Sequence, residues 1–128
     1  MKIEHFGLQV DDPGAMAEWY VANLKFTIQR EAESPNPVRF IADSNGEVMI
    51  EIYHNPMVGV PDYFSMDPLI LHIAYVCADV DGETERLVAA GASVATEARN
   101  TDAGDRLAML RDPWGVPLQL CNRSKSMV

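Results

Sequence analysis

Four polar side chains interrupt runs of the sequence that are otherwise apolar. His5 lies in "HFGLQV", Glu51 in "VMIEIY", His72 in "LHIAYV" and Gln119 in "VPLQLC". Taken singly, each has an ordinary structural explanation, such as a hydrogen-bonded core histidine or a glutamate on a solvent face. Together they offer two imidazole nitrogens, a carboxylate and an amide oxygen, and imidazole with carboxylate suits Zn, Ni, Fe, Co or Mn. The set predicts a divalent metal site whose remaining coordination positions could bind water or substrate.

The spacing of the four residues is repeated along the chain. Glu51 follows His5 by 46 residues, and Gln119 follows His72 by 47. Placing His5 over His72 also aligns "HFGLQVDD" with "HIAYVCAD". Such self-similarity predicts that one structural unit occurs twice, so a matching polar residue is expected on the first and last strand of each copy.

Each histidine-bearing run predicts a strand that leads into a helix. In the first copy Asp12 is a good N-cap, Pro13 fits the first turn, and Met16, Trp19 and Tyr20 follow at helical spacing. In the second copy Asp79 or Asp81 can cap a helix with Leu87 and Val88 inward, and Gly91 is a plausible stop.

Three further strands follow in each copy. They are predicted at "FTIQREA", "VRFIAD" and "EVMIEIYH", and again at "ASVATEA", "RLAMLRD" and "VPLQLCN", with Pro117 as a point of incomplete pairing. We therefore predict a single α+β domain over residues 1–128, built from two βαβββ modules. Module 1 covers about 1–54 and module 2 about 69–123, with a linker at about 55–68.

The composition restricts the classes of function. A net charge of −9 without a basic stripe disfavours nucleic-acid binding. No apolar run approaches the ~20 residues that span a bilayer, and the opening "MKIEHFGLQV" lacks the pattern of a signal peptide. Cys77 and Cys121 form no recognisable disulfide framework. These features predict a cytoplasmic protein with reduced thiols and no membrane partner.

The pattern resembles the glyoxalase/bleomycin-resistance/dioxygenase superfamily, also called the vicinal oxygen chelate fold. The resemblance covers nearly the whole chain, through "HFGLQVDDPGAMAEWYVANLKF", "EIYHN", "LHIAYVCADVD" and "LRDPWGVPLQL". It implies curved mixed sheets around a central site, with metal ligands at His5, Glu51, His72 and Gln119. It also implies a small-molecule substrate whose neighbouring oxygens the metal chelates, with lyase, isomerase, epimerase or dioxygenase chemistry.

Two positions depart from the pattern of the superfamily. Glyoxalase I members carry a glutamate that acts as a base where this chain has Gln119, and an amide cannot accept a proton at neutral pH. The resemblance therefore disfavours glyoxalase I activity and leaves Glu51 as the carboxylate expected to act as catalytic base. Lys25 stands where relatives usually carry glycine, which is expected to alter only a helix end.

Two other functions remain open at this point. A metal-free protein that sequesters an antibiotic, like the bleomycin-resistance members, agrees with the acidic charge, which would attract a cationic drug. The set His5, Glu51 and His72 argues against it, since such a binder does not need these residues. A thiol transferase like the fosfomycin-resistance enzymes is disfavoured by Gln119 and Glu51.

Several other polar and aromatic residues have competing interpretations. Arg39, Arg106 and Arg111 could bind an anionic substrate or form surface ion pairs, and Trp114 could rim a pocket or cap the sheet. His54 is expected on the face opposite Glu51.

The resemblance and the open edges of short sheets both predict a homodimer. In it, His5 and Glu51 of one chain would meet His72 and Gln119 of the other.

Overall fold

The chain folds as two compact units with the same order of elements. The structure, a computed structural model, describes residues 1–127. Unit 1 comprises Met1–Pro61 and unit 2 comprises Asp62–Val128. The boundary falls inside the predicted linker, so its first half belongs to unit 1 and its second half to unit 2. Each unit has the βαβββ order predicted from the repeat, and the α+β class is confirmed.

Unit 1 is a four-stranded mixed sheet with one helix. Its elements are β1 (His5–Gln9), α1 (Pro13–Leu24), β2 (Thr27–Ala32), β3 (Val38–Ala42) and β4 (Met49–Tyr53). The strand order is β1-β4-β3-β2, in which β1 and β4 are parallel and the other neighbours are antiparallel. The first and last strands of the module are therefore adjacent, and this adjacency brings His5 near Glu51.

Unit 2 repeats this arrangement. Its elements are β5 (Ile73–Val76), α2 (Val80–Ala89), β6 (Ser93–Asn100), β7 (Arg106–Arg111) and β8 (Pro117–Asn122), in the sheet order β5-β8-β7-β6. The β5–β8 pair is again parallel. Pro117 starts β8 and pairs only with Arg111 of β7, because the β5 ladder begins at Leu118. A residue without an N–H is tolerated at such a strand end.

The ends of both helices follow from their sequences. Asp12 and Asp79 each accept a hydrogen bond from a backbone N–H of the first turn, which is the ordinary role of an N-cap aspartate. After α2, Gly91 has φ +103°. After α1, Lys25 adopts φ 60° and closes the helix in the left-handed region. The lysine thus takes over the helix end that glycine usually makes, as expected from the sequence. Within residues 1–127, neither helix has the length and apolar character to cross a membrane.

Each sheet packs one face against its own helix, and its other face points away from that helix. In unit 1, Ile41, Ile50 and Ile52 are fully buried on the face that packs against α1, together with Met16 and Tyr20 of that helix. Because side chains alternate along a strand, Glu51 lies on the opposite face, called here the open face. In unit 2, Leu110, Leu118 and Leu120 pack on the helix side with Leu87. Val88, predicted to point inward, is 43% exposed, so that prediction is wrong.

Both halves of the predicted linker are tied to their own unit. The buried Gln9 side chain donates to the carbonyls of Asn55 and Val58 and accepts from the Asn55 N–H, at 2.8–2.9 Å. In unit 2, the Arg111 guanidinium donates to the carbonyls of Tyr63 and Met66, each at 2.6 Å. The segment is therefore ordered on both sides of the unit boundary by one polar side chain from each sheet.

Candidate metal centre and pocket

His5 and Glu51 face each other on the open face of unit 1. The His5 Nε2 atom lies 3.5 Å from a Glu51 carboxylate oxygen, and both side chains are about one-third exposed. On its other side, His5 Nδ1 lies 2.6 Å from the Glu4 carboxylate. A carboxylate on one ring nitrogen fixes the orientation of the imidazole and presents the other nitrogen to a possible cation. The pair that sequence reasoning placed together thus does come together, with Glu4 as an additional member.

The pairing of β1 with β4 explains this proximity. His5 is opposite Met49 and Gly7 is opposite Glu51, so His5 and Glu51 are diagonal neighbours. A Cβ at Gly7 would lie 3.1 Å from the Tyr53 ring and 3.5 Å from Glu51 Oε2. The missing side chain therefore leaves the space over β1 into which Glu51 and Tyr53 extend.

A pocket of about 480 Å³ opens beside His5 in unit 1. Phe40 forms part of its wall and meets the His5 ring edge to face, with ring centroids 5.5 Å apart. Arg30 and Met49 are also among its lining residues; the full set is Glu4, His5, Gln29, Arg30, Phe40 and Met49. The pocket thus combines an apolar wall with one imidazole, one carboxylate and one guanidinium.

Unit 2 carries His72 and Gln119 at the positions that correspond to His5 and Glu51. Gln119 is half-buried in β8 opposite Ala74 of β5, just as Glu51 is opposite Gly7. His72, predicted inside the strand, lies one residue before β5 and is exposed. Its Nδ1 lies 3.0 Å from the Pro68 carbonyl oxygen. If Nδ1 carries the proton for that hydrogen bond, Nε2 is left as the acceptor nitrogen.

No three metal-binding side chains of the types His, Cys, Asp and Glu form a cluster within residues 1–127. Glutamine is not one of these four residue types, so Gln119 is not counted. In unit 1, two side chains of these types, His5 and Glu51, face one another. Each unit described by itself thus contains two of the four predicted ligands. The role of these residues as metal ligands stays a prediction.

The two thiols have no feature of reactive cysteines. Both Cys77 and Cys121 are free, and Cys121 is buried. Burial raises the pKa of the Cys77 thiol to about 11, with nearby acidic groups adding to the shift. A neutral thiol is a poor nucleophile, so the structure assigns Cys77 no part in the chemistry.

The three arginines considered as anion-binding candidates are paired elsewhere. Arg39, whose side chain is only 13% exposed, forms ion pairs with the exposed carboxylates of Glu31 and Glu33. Arg106 binds the Asp81 carboxylate at 2.6 Å, which lowers the pKa of that carboxyl group. Arg111 is bound to backbone carbonyls, as described above.

The remaining candidates are structural or peripheral. His54 Nδ1 lies 2.9 Å from the Val10 carbonyl oxygen and helps to join two chain segments. Trp114 is half-buried in the "DPWG" turn, whose buried Asp112 accepts hydrogen bonds from the N–H groups of Trp114 and Val116. Tyr20 is fully buried and belongs to the core of unit 1, as the helical spacing predicted.

Sequence reasoning missed Glu4 and Arg30. Glu4 precedes the strand and looks like an ordinary surface carboxylate, although adjacency to a ligand-like histidine could have marked it. Arg30 occurs in a strand whose alternation is broken by a bulge, so its face could not be read from the sequence.

The fold and the ligand-like pairs agree with the family assignment from the sequence. The family model of the Glyoxalase/Bleomycin resistance protein/Dioxygenase superfamily matches residues 2–120. The chain belongs to this superfamily. None of the curated proteins resembles the chain closely enough to count as a relative.

Solved structures of the superfamily resemble the chain over nearly its whole length. SMU.1112c is 28% identical with a TM-score of 0.74, and the match covers 95% of this chain and 98% of that one. TnmS3, an antibiotic binding protein from Streptomyces sp. CB03234, is 21% identical with a TM-score of 0.74, covering 97% of both chains. A glyoxalase I mutant from Zea mays is 21% identical with a TM-score of 0.77, covering 97% of this chain and 46% of that one. The superfamily therefore includes both enzymes and binding proteins with this fold.

Proposed function

We propose that the protein is a divalent-metal-dependent enzyme that binds neighbouring oxygens of a small substrate. The observation that carries the proposal is the pair His5–Glu51, whose donor atoms face one another 3.5 Å apart beside an open pocket. A histidine held between two carboxylates has little value as a packing element on an exposed sheet face. It is well suited to bind a cation.

The residues present fit Zn, Ni, Fe, Co or Mn by the chemistry of their donors. His5 and His72 would supply imidazole nitrogens, Glu51 a carboxylate oxygen and Gln119 an amide oxygen. When bound, the metal would act as a Lewis acid that stabilises negative charge on substrate oxygens. Glu4 would hold His5 in position through Nδ1.

Glu51 is the residue assigned to hold and move a proton. It lies 3.5 Å from His5 Nε2 and its side chain is 29% exposed, so a substrate in the pocket can approach it. Gln119, at the position where glyoxalase I carries its base, cannot replace it. We therefore assign the protein to lyase, isomerase or dioxygenase types of chemistry rather than to glyoxalase I itself.

A metal-free antibiotic-binding protein is the second candidate. The acidic charge of −9 favours it, and the fold likeness to TnmS3 is compatible with it. On this alternative, His5 and Glu51 would contribute hydrogen bonds to a ligand and would bind no ion.

Metal content separates the two candidates. Protein purified without chelators is expected to contain one divalent ion per site, measured by plasma mass spectrometry against protein concentration. Stripped protein is expected to regain the same stoichiometry when Ni²⁺ or Zn²⁺ is added. A stripped protein that binds neither ion at micromolar concentration would favour the antibiotic-binding alternative.

We further propose the homodimer in which His5 and Glu51 of one chain meet His72 and Gln119 of its partner. Unpaired edges of β1 and β5, together with exposed apolar side chains at Leu69, Ile70 and Val76, support an association through these surfaces. An obligate interface of this kind is expected to bury more than ~2,000 Å².

A mixing experiment tests the shared site. His5→Ala and His72→Ala each damage every site of their own homodimer. In a mixed dimer, one shared site would carry both substitutions and the other would carry neither, so metal binding is expected to return to one site in each mixed dimer. Recovery would not occur if all four ligands came from one chain, and a monomer in light scattering at micromolar concentration would also contradict the proposal.

Cytoplasmic location stays a prediction. The free thiols of Cys77 and Cys121 support it, because unpaired cysteines are more common in reducing compartments.

A further inference from the structure

The arginines of the chain fall into two groups: those whose guanidinium binds a carboxylate or a backbone carbonyl, and those without such a partner among residues 1–127. Five are bound to carboxylates or backbone carbonyls, namely Arg39, Arg86, Arg106, Arg111 and Arg123. Arg30 and Arg99 form no ion pair or side-chain hydrogen bond with residues 1–127. In a chain with 19 acidic residues, an arginine without a carboxylate partner is unexpected for a merely solubilising surface.

Both unpaired arginines lie on the open faces of their sheets. Arg30 is opposite Phe40, which is opposite Glu51, so these three residues share one face. Arg99 is opposite Leu107, which is opposite Cys121, two residues along β8 from Gln119. Each arginine therefore shares a face with the ligand-like residue of its unit.

A β-bulge places Arg30 on that face. The register of β2 shifts once, between Ile28 and Arg30, whereas that of β6 shifts twice, between Val94 and Thr96 and between Thr96 and Arg99. One extra residue in a strand reverses the faces of the residues that follow, and bulges commonly reorient side chains beside functional sites. The two shifts in β6 cancel, so Arg99 keeps the face that unbroken alternation from Ser93 would give it.

Of these two arginines, only Arg30 lines the pocket that contains His5. The other side chains of the pocket are the two apolar groups Phe40 and Met49, the amide of Gln29 and the acid Glu4. Glu4 is already bound to His5. The guanidinium is thus the one cationic group of the pocket without a partner among residues 1–127.

We propose that Arg30 selects a substrate that carries a carboxylate, by pairing with that group while Phe40 and Met49 contact its apolar part. This inference rests on the proposed function, because it names the class of ligand for the same site. Guanidinium groups bind carboxylates through two parallel hydrogen bonds. The substrate class is therefore a small hydroxy acid or keto acid with an apolar substituent, whose oxygens reach His5 and Glu51.

Mandelate and mandelamide test the inference, since they share shape, ring and hydroxyl group and differ in charge. Binding to wild-type protein, with and without Ni²⁺, is measured by calorimetry. Mandelate is expected to bind more tightly than mandelamide, and Arg30→Gln is expected to weaken mandelate binding by about 10-fold or more, as loss of a charged hydrogen bond does. Mandelamide binding is expected to be unchanged by the substitution.

Arg86→Gln is the matched control. It removes the same charge from helix α2, where Arg86 is paired with Glu83 away from the pocket. An equal loss of mandelate binding in Arg86→Gln, or equal affinities of mandelate and mandelamide in wild-type protein, would overturn the inference. If mandelate binding depends on Arg30 in protein that binds no metal, the inference stands and the metal-dependent function fails. If metal binds but Arg30→Gln leaves mandelate binding unchanged, the metal-dependent function stands and the inference fails.

Discussion

Replacement of Glu51 by glutamine is expected to lower the affinity for Ni²⁺ or Zn²⁺ by at least ~10²-fold. The physical reason is the loss of the one anionic ligand in the proposed set. Substitution of an outer residue that only orients a ligand already costs ~10–100-fold in metal affinity. The measurement is a competition titration of stripped protein against a chromophoric chelator. Because glutamine has the same size as glutamate, the fold of unit 1 is expected to survive.

Glu47→Gln provides the control for the loss of one negative charge. Glu47 is exposed in the turn before β4 and outside the pocket. Its substitution is expected to leave the metal affinity within about twofold of the wild type, since screened surface charges act weakly. Similar affinities for wild type and Glu51→Gln would contradict the assignment of Glu51 as a ligand.

Substitution of Gly115 by alanine is expected to destabilise unit 2 by about 3 kcal/mol. Gly115 has φ +86°, a conformation that costs L residues ~1–2 kcal/mol. A Cβ there would also lie 2.7 Å from Phe64 Cγ and 2.9 Å from the Phe64 backbone nitrogen. Overlap with backbone cannot be relieved by a rotamer change, so the packing of residues 62–66 onto the turn must shift, at a cost of ~1–3 kcal/mol. Urea unfolding followed by circular dichroism measures the free-energy difference.

Gly46→Ala separates the two parts of this cost. Gly46 has φ +71°, but a Cβ there would meet no atom within 4 Å. Its substitution is expected to cost only the conformational part, ~1–2 kcal/mol. Equal losses for the two variants would show that the overlap of the added Cβ with Phe64 has no cost in stability.

The repeat and the helix ends could be predicted from the sequence because they rest on local rules. Asp12 and Asp79 are caps in the structure, and the strands begin and end within a few residues of their predicted limits. The proximity of His5 to Glu51 was predicted by assigning both residues to one set of metal ligands. The adjacency of β1 and β4 that produces it was not predicted, since the spacing alone does not determine which strands are neighbours.

The misses have physical causes. Val88 is apolar but exposed, because the helix is short and only one stripe of it meets the sheet. Arg30 was not considered, since a bulge changes the face of a residue without changing its type. Arg39, Arg106 and Arg111 were considered as ligands of an anion, but each has a partner within its own unit that depends on how the chain segments pack. The prediction of a ligand role for Gln119 rests on the repeat and is independent of these errors.

The two anchored halves of the linker leave a short stretch between them where additional sequence can be inserted. Gln9 holds residues 55–58 to the first sheet, and Arg111 holds residues 63–66 to the second. Between them lies Gly59, where an added Cβ would touch no atom within 4 Å. Sequence inserted at this point would carry mainly the modest entropy of a longer loop. The junction between the two copies is thus a natural place for a fusion partner or a reporter.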